Sequence, residues 1–352
     1  MNNIIINNRE IGINNPTYFV ADIAANHDGE IERAFKLCRL AKESGADAVK
    51  FQHFAAKEFV SSKGFSEIKN ESHQVKWRKT VYDIYQDASL PLSWTSYIEE
   101  YCRTIGITFF SSPYGLNMVR HLQHCVPAWK IGSGDINYHE QLRAVAETGL
   151  PVMIATGASQ IEEVIEAVSI LRESTDKIVL MQCNTNYTAE PENYKFINLN
   201  VLKTYNALFP ELVLGLSDHT FGHETVLGAI ALGARVIEKH FTDDNAREGP
   251  DHLFSMNPAT WREMVSSARL LESAMGSPIK SVCDNEKKAV IVQRRALRAT
   301  RDLLVGTILD EGMFVPMRPA DSYAADINCN FVGKKIARKI TKGSCLMKRD
   351  LN

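Results

Sequence analysis

Residues 213–240 read VLGLSDHTFGHETVLGAIALGARVIEKH: an apolar run, an amphipathic stretch closed by Gly233, and a second apolar run. Positions 213–217 and 236–240 have the length and continuous apolar character of strands buried on both faces, and ETVLGAIALGA between them has helical spacing. A glycine just past such a stretch marks the helix C-terminus. A crossover of this length returns the chain to the same edge of a sheet, so the two strands are predicted to run parallel. Each ends in a polar segment carrying a histidine, SDHT and EKHF.

Working outward, the same alternation extends back to about residue 17 and on to about 275. Further strands are predicted at 18–22, 46–52, 107–111, 128–131, 151–155 and 178–183, separated by helical patterns such as IERAFKLCRLAKESG and IEEVIEAVSILRES. Eight strand–helix units in roughly 250 residues predict an α/β fold, a (β/α)8 TIM barrel. An open dinucleotide-binding sheet is disfavoured, because no GxGxxG follows the first strand. The stretch 53–91, rich in Lys, Ser, Glu and Tyr, exceeds an ordinary connection and reads either as a lid after strand two or as a solvated insertion. The barrel is assigned to residues 1–280, a charged linker to 281–293, and a small unit of short strands and turns to 294–352.

Composition narrows the function. Forty Lys and Arg against 42 Asp and Glu leave a net charge of −2 with no basic block, so neither nucleic acid nor an anionic membrane surface is implied as a partner. Seven scattered cysteines with no CxxC pair point to reduced thiols rather than a zinc site. MNNIIINNREIGINN has neither a basic start nor an apolar run long enough for export, so a cytoplasmic location is expected.

TIM-barrel chemistry sits where strands run into the following loops, and here those ends are polar. His219 and His240 end adjacent predicted strands, about 4.8 Å apart, a span over which two imidazoles can share a cation. With carboxylates and water completing the shell, this set suits manganese, or magnesium or cobalt, better than a closed zinc site. Lys50 and Lys130 end strands two and four and call for an anion. The competing arrangement pairs them with Asp22, Asp135, Asp218 or Glu238. Ser112, Ser133, Thr156 and Ser217 offer hydroxyls, and the GSG around Ser133 lets backbone amides approach an oxyanion. Asp22 lies at the mouth, while Asp28 reads as a helix cap. Asp251, after the Gly249–Pro250 turn, is placed to accept hydrogen bonds from hydroxyls.

NHDG, KFQ, KIGSGD, GLSDHTFG, GARVIEKHF and GPDHLFSM occur in an order and spacing that resembles the sialic acid synthases and their relatives that make nonulosonic acids. The tail, with VGKKIARKITKGSCL, resembles that family's small antifreeze-like (SAF) domain. The resemblance implies condensation of phosphoenolpyruvate with an N-acylated hexose, and a domain-swapped homodimer in which each small domain covers the partner's mouth. It implies that His219 and His240 hold the divalent metal. Lys50, Lys130, Ser133 and Ser217 are implied to hold phosphoenolpyruvate, and Gln52, Asp135, Tyr187 and Asp251 to meet the sugar; Asn184, at the end of strand six, is a further candidate for substrate contact. Arg318, in MRPADS, matches an arginine directed at the N-acyl group.

The chain also departs from the family pattern. Asp22 stands where glutamate is usual, shortening the reach by about 1.5 Å. Ala155 replaces a serine, segment 184–190 is rewritten, and RPADSY replaces RPGxGI. Two other functions compete: a synthase acting on a sugar phosphate, and a catalytically weakened paralogue that binds a sugar.

Overall fold

The computed structural model describes residues 3–68, 79–188 and 190–351. Two compact units divide the chain, Met1–Gly276 and Ser277–Asn352. In the first, a two-stranded antiparallel hairpin, β1 (Ile4–Ile6) and β2 (Arg9–Ile11), precedes the eight strands of a closed parallel barrel. These are β3 (Tyr18–Asp22), β4 (Ala48–His53), β5 (Thr108–Pro113), β6 (Trp129–Ile131), β7 (Val152–Ala155), β8 (Ile178–Cys183), β9 (Val213–Asp218) and β10 (Ala234–His240). Each predicted strand is present to within two residues at either end, because long apolar runs bounded by polar ends leave little choice of register.

The helices follow the same logic. Ile31–Glu43 and Glu224–Ala231 bury their apolar stripes against the barrel. Gly45 and Gly233, at φ 94° and 101°, let the chain turn back into the next strand where a side chain would strain it. The hairpin was not foreseen. Asn7 and Asn8, both at positive φ, make its tight turn, and Ile4, Ile6 and Ile11 join the barrel core. Asn7 donates to Thr108 and Arg9 pairs with Asp47, at the starts of β5 and β4, so the hairpin covers the end of the barrel opposite the mouth.

Segment 53–91 contains short helices at Ala56–Phe59, Ser62–Glu67 and Val81–Ala88; the part of the expected lid at 69–78 lies outside the described residues. The small unit has its own core, which includes Leu297, Leu303, Leu309, Ile336 and Leu346, around the antiparallel pair β11 (Ala296–Ala299) and β12 (Phe314–Met317). The segment read as a linker falls within this unit and carries the short helix Lys287–Val292. Among the described residues no helix is long and apolar enough to cross a membrane.

Behind β4 and β5, fully buried His53 bonds Ser111 at 2.7 Å and Thr95 at 2.8 Å, tying the barrel to helix Thr95–Ile105. Burial, with smaller contributions from His121 and His27, lowers its pKa from 6.5 to about 3. Between those values the unfolded chain carries a proton there that the folded chain refuses. Its contribution to stability is therefore lost as pH falls below about 6.5. Thermal unfolding of His53→Gln beside the parent checks this: the gap between their melting temperatures should narrow on acidification, and a pH-independent gap would contradict it.

Candidate active site

Strand register gathers the mouth residues. His240 lies opposite Asp22, Asp22 opposite Lys50, Gln52 opposite Ser112, and Glu238 opposite Ser217. Side chains alternate across a strand, so Glu238 and His240 face the interior while Lys239 between them faces the helices. From its place in the sequence Glu238 is only a possible partner for the lysines. Counting back two positions from His240 would have placed it inside.

At the floor, Glu238 Oε1 accepts from Lys50 at 3.0 Å, lies 3.1 Å from Lys130 Nζ, and accepts from Ser217 at 3.2 Å. Asp22 pairs with the other side of Lys50 at 2.9 Å and accepts from Gln52 at 3.3 Å. Both lysines are thus paired with carboxylates of the chain itself, two of those named in the competing arrangement. The four charges are not equivalent. Burial pushes the Glu238 carboxyl up, but Lys130 and Lys50 outweigh it and hold it at about 2. Asp22 moves the other way: burial, with Glu238 adding to it, raises its pKa against the pull of Lys50. Lys50 is pulled down by burial and raised overall by Asp22 and Glu238; Lys130 is lowered, chiefly by burial. Glu238 is the committed anion, and Asp22 is the carboxyl able to carry a proton.

Above this floor the rings of His219 and His240 lie 5.4 Å apart. Burial lowers both imidazoles to about 3, with His240 adding to the effect at His219 and Lys50 at His240. Both are therefore neutral, the form that ligates metal. His219 Nδ1 lies 2.9 Å from the carbonyl of Asn184, which fixes its tautomer and leaves Nε2 as the lone-pair nitrogen. His240 Nδ1 is buried without a hydrogen-bond partner. This orphaned nitrogen and the two neutral rings fit a divalent cation. Carboxylates stand close by, with Asp22 Oδ2 3.5 Å from His240 Nε2 and Asp251 Oδ2 4.0 Å from its Nδ1, though no group of three or more metal-binding side chains is already gathered among the described residues. The pair suits an open site whose remaining positions belong to water or substrate.

A cavity of about 340 Å³ opens over the floor, and Gln52, Ser133, Tyr187, His240 and Asp251 are among the residues that line it. The Tyr187 ring packs against His219 with centroids 4.3 Å apart and planes inclined at 58°. Burial and nearby Asp22 push Asp251 up to about 7, and its Oδ2 accepts from the Ala25 amide. Ser133 Oγ accepts from the Gly157 amide, an approach that needs glycine because a Cβ there would sit 2.8 Å from Thr185. Ser112 Oγ is buried and unpaired beneath the mouth. The shorter Asp22 side chain still spans the gap to Lys50, and its Oδ2 lies 3.5 Å from His240 Nε2.

Four expected placements differ. Thr156 is committed to the Met181 carbonyl and the Tyr205 hydroxyl, away from the mouth. The Asn184 side chain bonds the Phe196 carbonyl, so its part in the site is its backbone. Asp135 lines a neighbouring cavity with Arg120 and Tyr138, and burial raises it to about 6. Asp28 is no helix cap: Glu30 takes that position, and Asp28 pairs with Arg33, Arg247 and His252, bracing the loop that carries Asp251. Arg318 is exposed on the small unit, just after β12. Phe54, Ile84, Tyr85, Tyr114 and Thr185 line the cavity without having been singled out, because only the folded insertion brings most of them there.

The chain belongs to the NeuB family. That family's profile matches residues 37–280. The N,N'-diacetyllegionaminic acid synthase of Legionella pneumophila is 32% identical over 94% of this chain and 93% of its own. The human N-acetylneuraminate-9-phosphate synthase is 30% identical over 96% and 94%. A crystal structure of the N-acetylneuraminic acid (sialic acid) synthetase from Leptospira borgpetersenii serovar Hardjo-bovis, in complex with citrate, superposes with a TM-score of 0.72 at 26% identity, covering 82% of this chain and 95% of that one.

Lys239 has a separate task within the NeuB barrel. It donates to Asp218 at 2.5 Å and to the Thr220 carbonyl, and Thr220 and Thr225 complete the carboxylate's partners. Lys239→Met strands a buried charge, and urea unfolding should register a loss of roughly 3–5 kcal/mol; a neutral result would show that the pair is dispensable.

Proposed function

We propose that the chain is a phosphoenolpyruvate-dependent synthase that forms a C–C bond to an N-acylated hexose, releasing a nonulosonic acid and phosphate. The observation that carries this reading is the pair of buried ammonium groups sharing one carboxylate beneath two neutral imidazoles. Such a floor holds cationic charge in reserve for an anion, and phosphoenolpyruvate brings a carboxylate and a phosphate.

Lys50 and Lys130 clamp those groups, with Ser112, Ser133 and Ser217 supplying hydroxyls. The methylene carbon of phosphoenolpyruvate bonds to the aldehyde carbon of the open-chain sugar, whose oxygen gains a proton. Water adds to the resulting cationic carbon and gives up a proton, and the bond to phosphate breaks. Asp22, with its raised pKa, is placed to accept the proton lost by water. Asp251, held partly protonated near neutrality, is placed to donate to the sugar oxygen. No Schiff base is required, so the lysines act through charge. A divalent cation held by His219 and His240, manganese first among the candidates, would supply Lewis-acid polarisation of the aldehyde.

Two other readings have support of their own. The human relative's name favours a sugar-phosphate substrate. Asp22 and Ala155 favour a weakened sugar-binding paralogue, opposed by the intact lysines and histidines. For assembly we propose a homodimer in which each small unit covers the partner's barrel mouth and brings Arg318 towards the N-acyl group. Leu304, Val305, Ile308 and Tyr323, exposed on the small unit, support an unmet apolar contact.

Phosphate release should require phosphoenolpyruvate, an N-acyl hexose and manganese together, and should stop in excess chelator and in His240→Ala. Turnover that survives chelation would sink the histidine-pair assignment, and sugar binding without turnover would favour the paralogue. Steady-state kinetics of Arg318→Ala should raise the KM for sugar several-fold more than that for phosphoenolpyruvate; equal effects would remove Arg318 from sugar recognition.

A further inference from the structure

Asp251 reaches the cavity from a long loop, residues 241–257, between β10 and helix Pro258–Met275. Its Oδ2 accepts from the Ala25 amide at 3.3 Å and lies 4.0 Å from His240 Nδ1. A buried carboxyl gains hydration by swinging out to water, so a loop of this length must be anchored to keep it inward. The anchors stand on both sides of Asp251. Its carbonyl accepts from Ser255 Oγ at 2.6 Å, and that hydroxyl accepts from Asn26 at 3.0 Å. The next residue, His252, is fully buried with both ring nitrogens engaged, Nδ1 2.7 Å from Thr242 Oγ1 and Nε2 donating to Asp28 Oδ1 at 2.9 Å. The other Asp28 oxygen accepts from Arg247 Nε at 2.8 Å and pairs with Arg33 at 3.0 Å. One carboxylate on the loop after β3 thus holds two residues that flank Asp251 on the loop after β10.

From this arrangement we propose that Asp28 is a positioning residue for the synthase reaction: it clamps Arg247 and His252 to the loop after β3 and so fixes the direction of Asp251 in the mouth. The proposal rests on the synthase reading and gives Asp28 no contact with substrate. β3 and β10 are neighbours in the barrel, so a tie between their following loops spans a short gap. Asp28 suits the turn it occupies, because its backbone is left-handed at φ 51°, a conformation aspartate tolerates better than most residues, and its carboxylate can accept several hydrogen bonds at once. An ionised acceptor also binds a guanidinium more strongly than a neutral one does, and little water competes here, with the Asp28 side chain 19% exposed and that of Arg33 6%. Gly249 completes the packing: a Cβ there would meet His252 Cδ2 at 2.6 Å, so the loop closes directly over the clamped ring. Phosphoenolpyruvate is assigned to the floor lysines and the sugar to Asp251, so loss of the clamp falls on the sugar. A displacement of about 1 Å is enough to disturb such a contact.

Steady-state phosphate release with manganese, against a panel of N-acetylmannosamine, its 6-phosphate and a 2,4-diacetamido-2,4,6-trideoxyhexose, tests the clamp on whichever sugar the parent turns over. Asp28→Gly keeps the left-handed turn and removes the acceptor; it should raise the KM for that sugar roughly 10-fold or more, with the KM for phosphoenolpyruvate within about twofold of the parent's. Asp28→Asn keeps an oxygen for His252 but offers Arg247 no charge, and should recover part of the loss. Arg247→Ala, at a half-exposed position, should raise the same KM roughly threefold, and reads the clamp even where Asp28→Gly does not fold. Equal changes in both KM values, or a sugar KM that neither Asp28→Gly nor Arg247→Ala moves, overturn the proposal and leave the synthase reading standing. No phosphate release by the parent from any sugar of the panel overturns the synthase reading, and the proposal with it.

Discussion

Glu238 accepts hydrogen bonds from two buried ammonium groups, and the site is organised around that shared carboxylate. Taking one ion out of water costs several kcal/mol, so three such groups persist only because each finds an opposite charge at about 3 Å. Lys50, Lys130 and Glu238 come from β4, β6 and β10, and only a closed barrel brings these strands' inner faces to one axis. The electrostatic character of the neighbours follows. Both imidazoles are kept neutral by burial, and at His240 by the adjacent ammonium groups as well, while Asp22, crowded by Glu238, becomes the carboxyl with a raised pKa. An incoming anion meets two cations already in place, so little reorganisation is needed when it binds.

The alternation of side chains along a strand lets one short peptide perform two tasks. In EKH at the end of β10, the first and third residues enter the site while Lys239 crosses to Asp218 on the outside. That outer pair joins β10 to β9 and holds the segment running into His219. A further support comes from Asn184, whose carbonyl sets the His219 tautomer. The inner chemistry therefore depends on polar contacts that never touch the cavity.

Much of this was legible in the amino-acid order. Eight apolar runs at regular spacing admit few arrangements, and polar strand ends identify the mouth. Lys50, Lys130, Ser133 and both histidines could be selected from their strand ends alone, Asp251 from the turn after the last strand, and Gln52 from the family resemblance. Thr156 and the Asn184 side chain could not be rejected on that basis, because they lie where β7 and β8 have given way to loops and period-two alternation no longer applies. Asp135 turns aside because residues 133–135 form a tight helical turn instead of continuing β6. Asp28 misled because an aspartate shortly before a helix has the same signature whether it caps the helix or pairs with arginines.

The sequence by itself determined the barrel, the end at which chemistry occurs and the two lysines of its charged floor, since these follow from periodicity, a property of neighbours along the chain. Tertiary structure alone decided which carboxylate is shared, which one has its pKa raised, and which rings line the cavity. Those outcomes depend on distances of 3–6 Å between groups up to 188 positions apart, and on how much water is excluded around them. Burial and charge proximity set the site's pKa values, and neither quantity exists until the chain has closed on itself.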